Sequence, residues 1–431
     1  MLSAELQLLF SDLASRLPLF TAEALTLLTT MYSGYSTNNL PTLQAAIHQL
    51  LRQRAVFPVQ PAPDLPLLFF ELPGTSPTTL LLYYHYDAAS NDSASLLPFL
   101  ASLAMLDLYQ ALNKPLPMTV KWLLDGNGDQ KYPSLSMPSL AQQLQADYIL
   151  WPQFSPEIAS FPSLALGTRG YLGVSLSQKS PSQPFPSSYG SILPNPAWRL
   201  LWALHNLKDA REDILIEGFY DTLLPADDQA IAQLYALPST LPLLPEEHPP
   251  FLLNLHDFQL HYTHLLTPTC SLLSFDTLPP TLAPSPTSHE TPPALLPTQA
   301  QAAIDFYLVP AQEPEDIFMK LQQHLLNSGF SDLVFQHWAA SYPTLISAEH
   351  PFVACLQKAT SLAYGVAPTL LPLCADTFPF ASTSLTSPLL VHYLPFKGPA
   401  SNEESLLDPQ HYARAIQQLT LILEMQATAS P

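Results

Sequence analysis

A chain of 431 residues exceeds what a single hydrophobic core usually serves, so two structural units are expected. Hydrophobic residues make up 47% of it and charged residues only 12%, which supplies ample core material and excludes a disordered chain. The formal net charge of −20 argues against nucleic acid and against an anionic membrane surface as partners.

With 47 Pro against 12 Gly, loops should be stiff and many helices should start at proline. Cys270, Cys355 and Cys374 are odd in number and lack metal-type spacing, so they read as reduced core thiols. The opening Met1-Leu2-Ser3-Ala4-Glu5-Leu6 has no basic segment, and no apolar run reaches membrane-spanning length. A soluble, cytoplasmic protein without a signal peptide is the expectation.

Leu2, Leu6, Leu9, Leu13 and Leu17 recur at helical spacing and predict one or two amphipathic helices over residues 1–32. A further helix is predicted from Leu40 to Gln53, with Pro41 in its first turn. Strands at Leu67–Leu72 and Leu80–His85 flank the turn Pro73-Gly74-Thr75. A helix from Phe99 to Leu112 leads to a strand at Thr119–Leu124, a short helix at Leu140–Ala146 behind Ser139, and a strand at Tyr148–Trp151. This alternation predicts an α/β fold with a largely parallel sheet covered on both faces.

A boundary is expected near Gly167-Thr168-Arg169-Gly170, followed by a strand at Tyr171–Ser177. The helix from Ala197 to Leu207 opens with Asn195 as cap and Pro196 at its first position, and its Trp198 and Trp202 are expected to pack in the core. Strands are predicted at Phe258–His264, Ala302–Leu308 and Leu333–His337, and a helix from Glu313 to Leu326 that stops at Gly329. On the first of these strands His261 and His264 would face opposite ways, which with His256 makes them surface or core histidines rather than ligands. The Pro/Ser/Thr-rich stretch 277–297 reads as an exposed loop. A helix from Pro351 to Tyr364 stops at Gly365, a strand occupies Leu389–Leu394, and a last helix, Tyr412 to Met425, follows Asp408 as cap and Pro409.

Two stretches carry the chemistry. TLLLYYHYD (79–87) and VKWLLDGNGD (120–129) are apolar runs that end in polar groups, the pattern of buried strands with functional side chains at their ends. His85 and Asp87, two apart, share a strand face, and a carboxylate beside a histidine is a common way to orient a metal ligand. A hydrogen-bonded surface pair has the same spacing. No Gly-x-Ser-x-Gly elbow occurs, and no cysteine has an activating neighbourhood, which leaves Ser- or Cys-based hydrolysis without support.

LLLYYHYD resembles the LLYGHYD strand of the zinc-dependent exopeptidases of the carnosinase, aminoacylase and succinyl-diaminopimelate desuccinylase family, and VKWLLDGNGDQKYPSL resembles their Glu-Gly-x-Glu-Glu signature. GTRG (167–170), LPNPAWRLLWALHNLKD with ILIEGFYD (214–221), FYLVPAQEPEDI (306–317), AYGVAP and ASNEE (400–404) are similar to further segments of the dipeptidase branch. The resemblance implies a sheet-based metallopeptidase-like catalytic domain in two parts, 1–170 and 339–431. Between them it implies an α+β lid, 171–338, with a four-stranded antiparallel sheet and two helices, through which the proteins dimerise.

That family holds two zinc ions and uses a glutamate as general base. By the resemblance, His85 matches a histidine ligand, Asp87 its supporting acid and Asp129 a glutamate ligand. The bridging aspartate falls on Asn91, with Asp92 adjacent; the catalytic glutamate falls on Gly128, a further aspartate ligand on Gln153 and the last histidine on Pro399. The lid histidine and arginine that reach substrate fall on Phe185 and Tyr307. The expectation is a degenerate, non-hydrolytic homodimer that serves as a binding or scaffold protein, with no tightly bound cofactor and a small peptide or N-acyl amino acid as candidate ligand. The alternative is an active peptidase or amidohydrolase with a reduced or relocated site holding one zinc, drawing on His85, Asp87, Asp92 and Asp129.

Overall fold

The computed structural model describes residues 3–32, 40–62, 65–86, 93–126, 138–154, 162–180, 185–237, 249–278, 295–383, 385, 387–395 and 407–428. Helices α1 (Ala4–Tyr32) and α2 (Leu40–Gln53) lead into strands β1 (Leu67–Leu72) and β2 (Gly74–His85). Helix α3 (Leu97–Ala111), strand β3 (Leu116–Asp125), helix α4 (Pro138–Leu144) and strands β4 (Tyr148–Phe154) and β5 (Ser163–Ala165) follow. Next come β6 (Gly167–Lys179), α5 (Pro196–His205), α6 (Asp228–Tyr235), α7 (Asp257–Leu266), β7 (Thr269–Leu278), β8 (Gln299–Leu308), α8 (Pro314–Asn327), β9 (Val334–Ser341) and β10 (Thr344–Leu345). The chain ends in α9 (Pro351–Tyr364), β11 (Thr369–Leu371), β12 (Cys374–Thr377), β13 (Leu389–Leu394) and α10 (Pro409–Thr428).

A seven-stranded sheet runs in the order β1-β3-β2-β4-β13-β5-β11. Its centre, β3-β2-β4-β13, is parallel, as the alternation of strand and helix predicts. Its flanks are not: β1 runs antiparallel to β3, and β5 antiparallel to β13. The expected turn at Pro73-Gly74 does not make a hairpin, because β3 inserts between β1 and β2 and β2 already begins at Gly74.

Each central strand is apolar on both faces, so each face needs a cover. On one face Leu80, Leu82, Tyr84, Trp122 and Leu390 pack with side chains of α1, α2, α3, α9 and α10. On the other, Leu81, Tyr83, Leu123, Trp151 and Val391 pack with Leu140 and Leu144 of α4 and with Phe378, Ala381 and Leu385. Helix termini follow local chemistry: Gly365 at φ +76° ends α9, where a side chain would be strained. Asp408 Oδ1 accepts from the Gln410 backbone at the start of α10.

The second sheet runs β10-β6-β8-β7, with β9 and β12 also paired to β6. Leu172, Val174 and Leu176 of β6 and alternate residues of β8 pack beneath Leu200 and Ala203 of α5 and Ile317, Leu321 and Leu325 of α8. In the order β9, β6, β8 and β7 each strand is antiparallel to its neighbour, and two helices cover one face.

Strand β6 runs unbroken through Gly167–Gly170 and changes partners there: Gly167 and Thr168 pair with β10, while Gly170 onward pairs with β8. Three expectations need correction here. Residues 258–264 are helical and belong to α7, so His261 and His264 lie one turn apart rather than on opposite strand faces. The alternation of Phe258, Leu260 and Tyr262 imitates a strand, but the buried residues Leu260, His261 and Leu265 follow helical spacing. Finally, Trp198 and Trp202 are each 56% exposed and stack on each other, ring centroids 6.2 Å apart, instead of entering the core. The α5 cap itself is as expected: Asn195 Oδ1 accepts from the Ala197 backbone at 2.9 Å. Most of the stretch 277–297 lies outside the described residues.

Candidate functional site at the carboxyl edge of the parallel strands

Parallel strands expose their carboxyl ends along one edge, and side chains there project past the hydrogen-bonded ladder. In register, His85 of β2 stands opposite Asp125 of β3, and Tyr393 of β13 opposite Gln153 of β4. Leu82 pairs with Leu150, and three residues further along each strand His85 comes level with Gln153. Asp125, His85, Gln153 and Tyr393 thus form one row across four strands. All four share the sheet face of Leu123, Tyr83, Trp151 and Val391, because side chains alternate.

Aromatic packing fixes the floor of this row. The half-buried His85 ring lies parallel to Trp151, with centroids 5.2 Å apart and planes within 7°. Tyr83 meets His85 edge-on at 5.0 Å, and Phe378 meets Tyr83 at the same distance. His85 Nε2 is buried without a hydrogen-bond partner among the described residues. The buried Asp125 accepts from the Tyr83 hydroxyl at 2.7 Å. Just beyond it, Gly126 faces the Tyr86 ring so closely that any Cβ would collide with it.

The other end of the row is a polar network. Gln153 Nε2 donates to Asp376 Oδ2 at 3.4 Å, and the Asp376 backbone N–H donates to Cys374 Sγ at 3.3 Å. The Tyr393 hydroxyl donates to the same sulfur at 2.8 Å. Burial pushes the Cys374 thiol well up from its ordinary value, and the neighbouring Asp376 carboxylate adds to that. The thiol also donates to Asp376 Oδ2 at 3.8 Å, so this cysteine is a protonated, inert member of the network, not a nucleophile.

Tyr307 lies on the lid-sheet face away from α5 and α8, and the Arg169 guanidinium covers its ring at 5.0 Å. Phe185 precedes α5, its ring 6.2 Å from Tyr189. Asp87, Asn91, Asp92, Gly128, Asp129 and Pro399 lie outside the described residues. Of the sequence-derived candidates, then, the structure brings His85 and Gln153 together, while Tyr307 belongs to the second sheet and Phe185 to the segment that precedes α5. Asp125, Asp376, Cys374 and Tyr393 are site residues that sequence reading missed. Only Asp125 gave a signal, as the acid that ends an apolar strand.

The donor set can be tested against a pair of zinc ions, which need several N, O or S donors in closed shells. At this row His85 offers one nitrogen, Gln153 an amide already turned to Asp376, and Asp125 a carboxylate bonded by Tyr83. Among the described residues no group of three or more His, Cys, Asp or Glu could hold a metal ion. The described donors do not fit a dinuclear centre.

No family model matches the chain. A stretch of 139 residues is 29% identical to the Beta-Ala-His dipeptidase of Rattus norvegicus, covering 31% of this chain and 28% of that protein. The Homo sapiens Beta-Ala-His dipeptidase is 27% identical over 141 residues, 31% of this chain and 27% of that protein. The match thus spans less than a third of these relatives' length. Solved structures agree over nearly the whole chain. An M20 family metallo-carboxypeptidase from Sulfolobus solfataricus superposes with a TM-score of 0.73 at 20% identity, covering 95% of this chain and 99% of that one. The dipeptidase Dug1p from Saccharomyces cerevisiae gives 0.71 at 16% identity with both chains fully covered. Human carnosine dipeptidase 1 gives 0.68 at 16% identity, covering 98% and 99%. The chain has the M20 metallopeptidase fold, a mixed α/β architecture, and part of its sequence is homologous to Beta-Ala-His dipeptidase.

Proposed function

We propose that this protein, built on the M20 metallopeptidase fold, is a non-hydrolytic relative of the dipeptidases that binds a small peptide or N-acyl amino acid as a cytoplasmic homodimer. The single observation that carries this reading is Gln153: at the row where the resemblance expects an acidic ligand, an amide donates to Asp376. Gly128 and Pro399 support it through their chemistry, because neither side chain can relay a proton or donate to a metal. Tyr307 supports it as well, since it stands where the resemblance expects a substrate-binding arginine and is itself covered by Arg169.

The homodimer reading draws on the lid. The exposed pair Trp198 and Trp202 lies in a stretch, 185–206, whose one charged side chain, Arg199, is tied to Asp332. On a chain of net charge −20, a neutral aromatic surface is where a second copy can approach with least repulsion. The cytoplasmic reading rests on the three cysteines, all free thiols. Among the described residues no helix is long and apolar enough to cross a membrane.

A one-zinc amidohydrolase is the second reading, favoured by the unpartnered, buried Nε2 of His85. Elemental analysis of the whole protein, purified without chelator and then exposed to zinc and desalted, separates the two. The expected result is no stoichiometric zinc, together with a rise in Tm on adding an uncleaved dipeptide or N-acyl amino acid. About two tightly held zinc ions per chain would overturn the proposal. One zinc ion accompanied by turnover would establish the second reading.

A further inference from the structure

The chain crosses the expected boundary between its units twice, outward along β6 and back from β9 to β10, and the two crossings lie side by side. Thr168 stands opposite Thr344; three residues further along β6, and three back along the return strand, Tyr171 stands opposite Ser341. The counts match, so the antiparallel register carries through the crossing without a bulge. The other edge of β6 is paired as well, to β12 at Thr168 and Arg169 and to β8 from Gly170 onward. The crossing is the middle of a ladder, not a single-stranded link.

Gly167, Gly170 and Gly173 would ordinarily mark such a place as flexible. None of the three has a positive φ, so their backbones use no conformation peculiar to glycine. What they use is the missing side chain. A Cβ at Gly167 would collide with the Thr344 carbonyl oxygen, one at Gly170 would lie 2.6 Å from Pro343 Cδ, and one at Gly173 would enter the Trp338 ring. Pro343 fixes its own φ and restricts Tyr342 before it. Side chains fasten the ribbon further. The Thr168 N–H donates to Thr344 Oγ1 at 3.0 Å, and the two threonine hydroxyls bond each other at the same distance. The Tyr342 N–H donates to the Ala381 carbonyl at 3.0 Å, and its hydroxyl donates to Glu315 in the first turn of α8 at 2.5 Å. The buried Arg169 donates to the carbonyls of His264 and Thr267 at the end of α7.

We propose that this ribbon is a clamp rather than a hinge: it joins the lid sheet and the β12 wall of the site into one rigid body, so that the lid stands in place before any ligand arrives. Rotating one sheet against the other requires φ/ψ changes in both crossings at once. At 169–170 and 342–343 such changes would break pairs on both edges of β6. They would also drive backbone into backbone, because the glycine contacts leave no space. Strand β12 carries Cys374 and Asp376, so the Asp376–Gln153 end of the row is tied to the same ribbon. The inference is independent of whether the site hydrolyses anything and of which ligand it takes.

Hydrogen exchange of the intact, ligand-free protein at neutral pH, corrected for intrinsic exchange rates, reads the ribbon directly. Peptides covering 166–172 and 340–346 should exchange as slowly as those of β3 and β8. Exchange there about tenfold or more faster than in both sheets, the signature of a hinge that opens locally, would overturn the proposal. In Gly170→Ala the new Cβ meets Pro343 and forces the crossings apart. Exchange should then rise about tenfold or more at 166–172, 340–346 and 374–377, while β3 keeps its protection. A folded Gly170→Ala with unchanged exchange would overturn the proposal too. If Gly170→Ala does not fold, the wild-type comparison still decides, and Thr344→Val serves as the second variant. It keeps the branched shape but loses the acceptor of the Thr168 N–H, so exchange at 166–172 should rise; an unchanged rate there would count against the clamp in the same way.

Discussion

At residue scale the site is decided by a few side chains whose neighbours leave no freedom to act otherwise. His85 cannot swing, because Trp151 lies flat against it and Tyr83 abuts its edge. Gln153 spends its amide on Asp376, and Asp376 is bound into the network of Cys374 and Tyr393. Restoring single groups is therefore expected to fail. Gly128→Glu returns a base without the metal-bound water that such a base would activate. Pro399→His adds one donor to an incomplete shell. In zinc-supplemented assays on dipeptides and N-acyl amino acids, each variant should show no turnover above the parent. Activity, if it can be recovered, needs both changes together with Gln153→Asp and Asn91→Asp. Clear turnover from Gly128→Glu alone would mean that a working metal site is already present.

At the scale of elements, one buried polar contact ties three of them. His392 of β13 is 1% exposed, and its Nε2 lies 3.2 Å from Gln418 Nε2 of α10. Gln418 also donates to Thr360 Oγ1 of α9 at 2.5 Å. The geometry requires a neutral His392 that accepts at Nε2. Burial lowers its pKa to about 3. Its contribution to stability is complete above the ordinary histidine range and declines as pH falls from about 6.5 toward the folded value. Fully expressed, the loss is on the order of 5 kcal/mol. Urea titrations between pH 7 and pH 4 should show stability falling with pH in the wild type, with a flatter slope in His392→Asn. An unchanged slope would place the acid sensitivity elsewhere. This contact was invisible in sequence, since His392, Gln418 and Thr360 come from three separate segments. The helices that carry two of them were legible, because Gly365, Asp408 and Pro409 mark their ends by local backbone chemistry.

For the molecule as a whole, the surface of the lid sets the expectation. Two tryptophans at 56% exposure are costly to leave in water, and their pairing on α5 makes one continuous apolar area. Replacing both by glutamate should leave the fold intact, because Leu200 and Ala203 on the inner face of α5 hold it to the sheet. Light scattering at micromolar concentration should give a dimer for the wild type and a monomer for Trp198→Glu/Trp202→Glu. A wild-type monomer would remove the homodimer from the proposed function. A variant that remains dimeric would move the interface away from α5.

Local order was written in the chain. Residues 80–85 and 389–394 are apolar enough to require burial on both faces, and the α5, α9 and α10 termini carry caps that act within a few residues. The motif strands, and with them the M20-type architecture, could be read for the same reason. What the sequence left open depended on partners far along the chain. That β3 lies between β1 and β2, that β6 crosses the expected boundary, and that 258–264 coils instead of extending are choices among local conformations of similar cost. Burial against distant segments makes those choices. Asp376 likewise meets Gln153 only once β12 and β4 are brought to one edge. Short-range chemistry determined the elements, and long-range packing decided which side chains share the site.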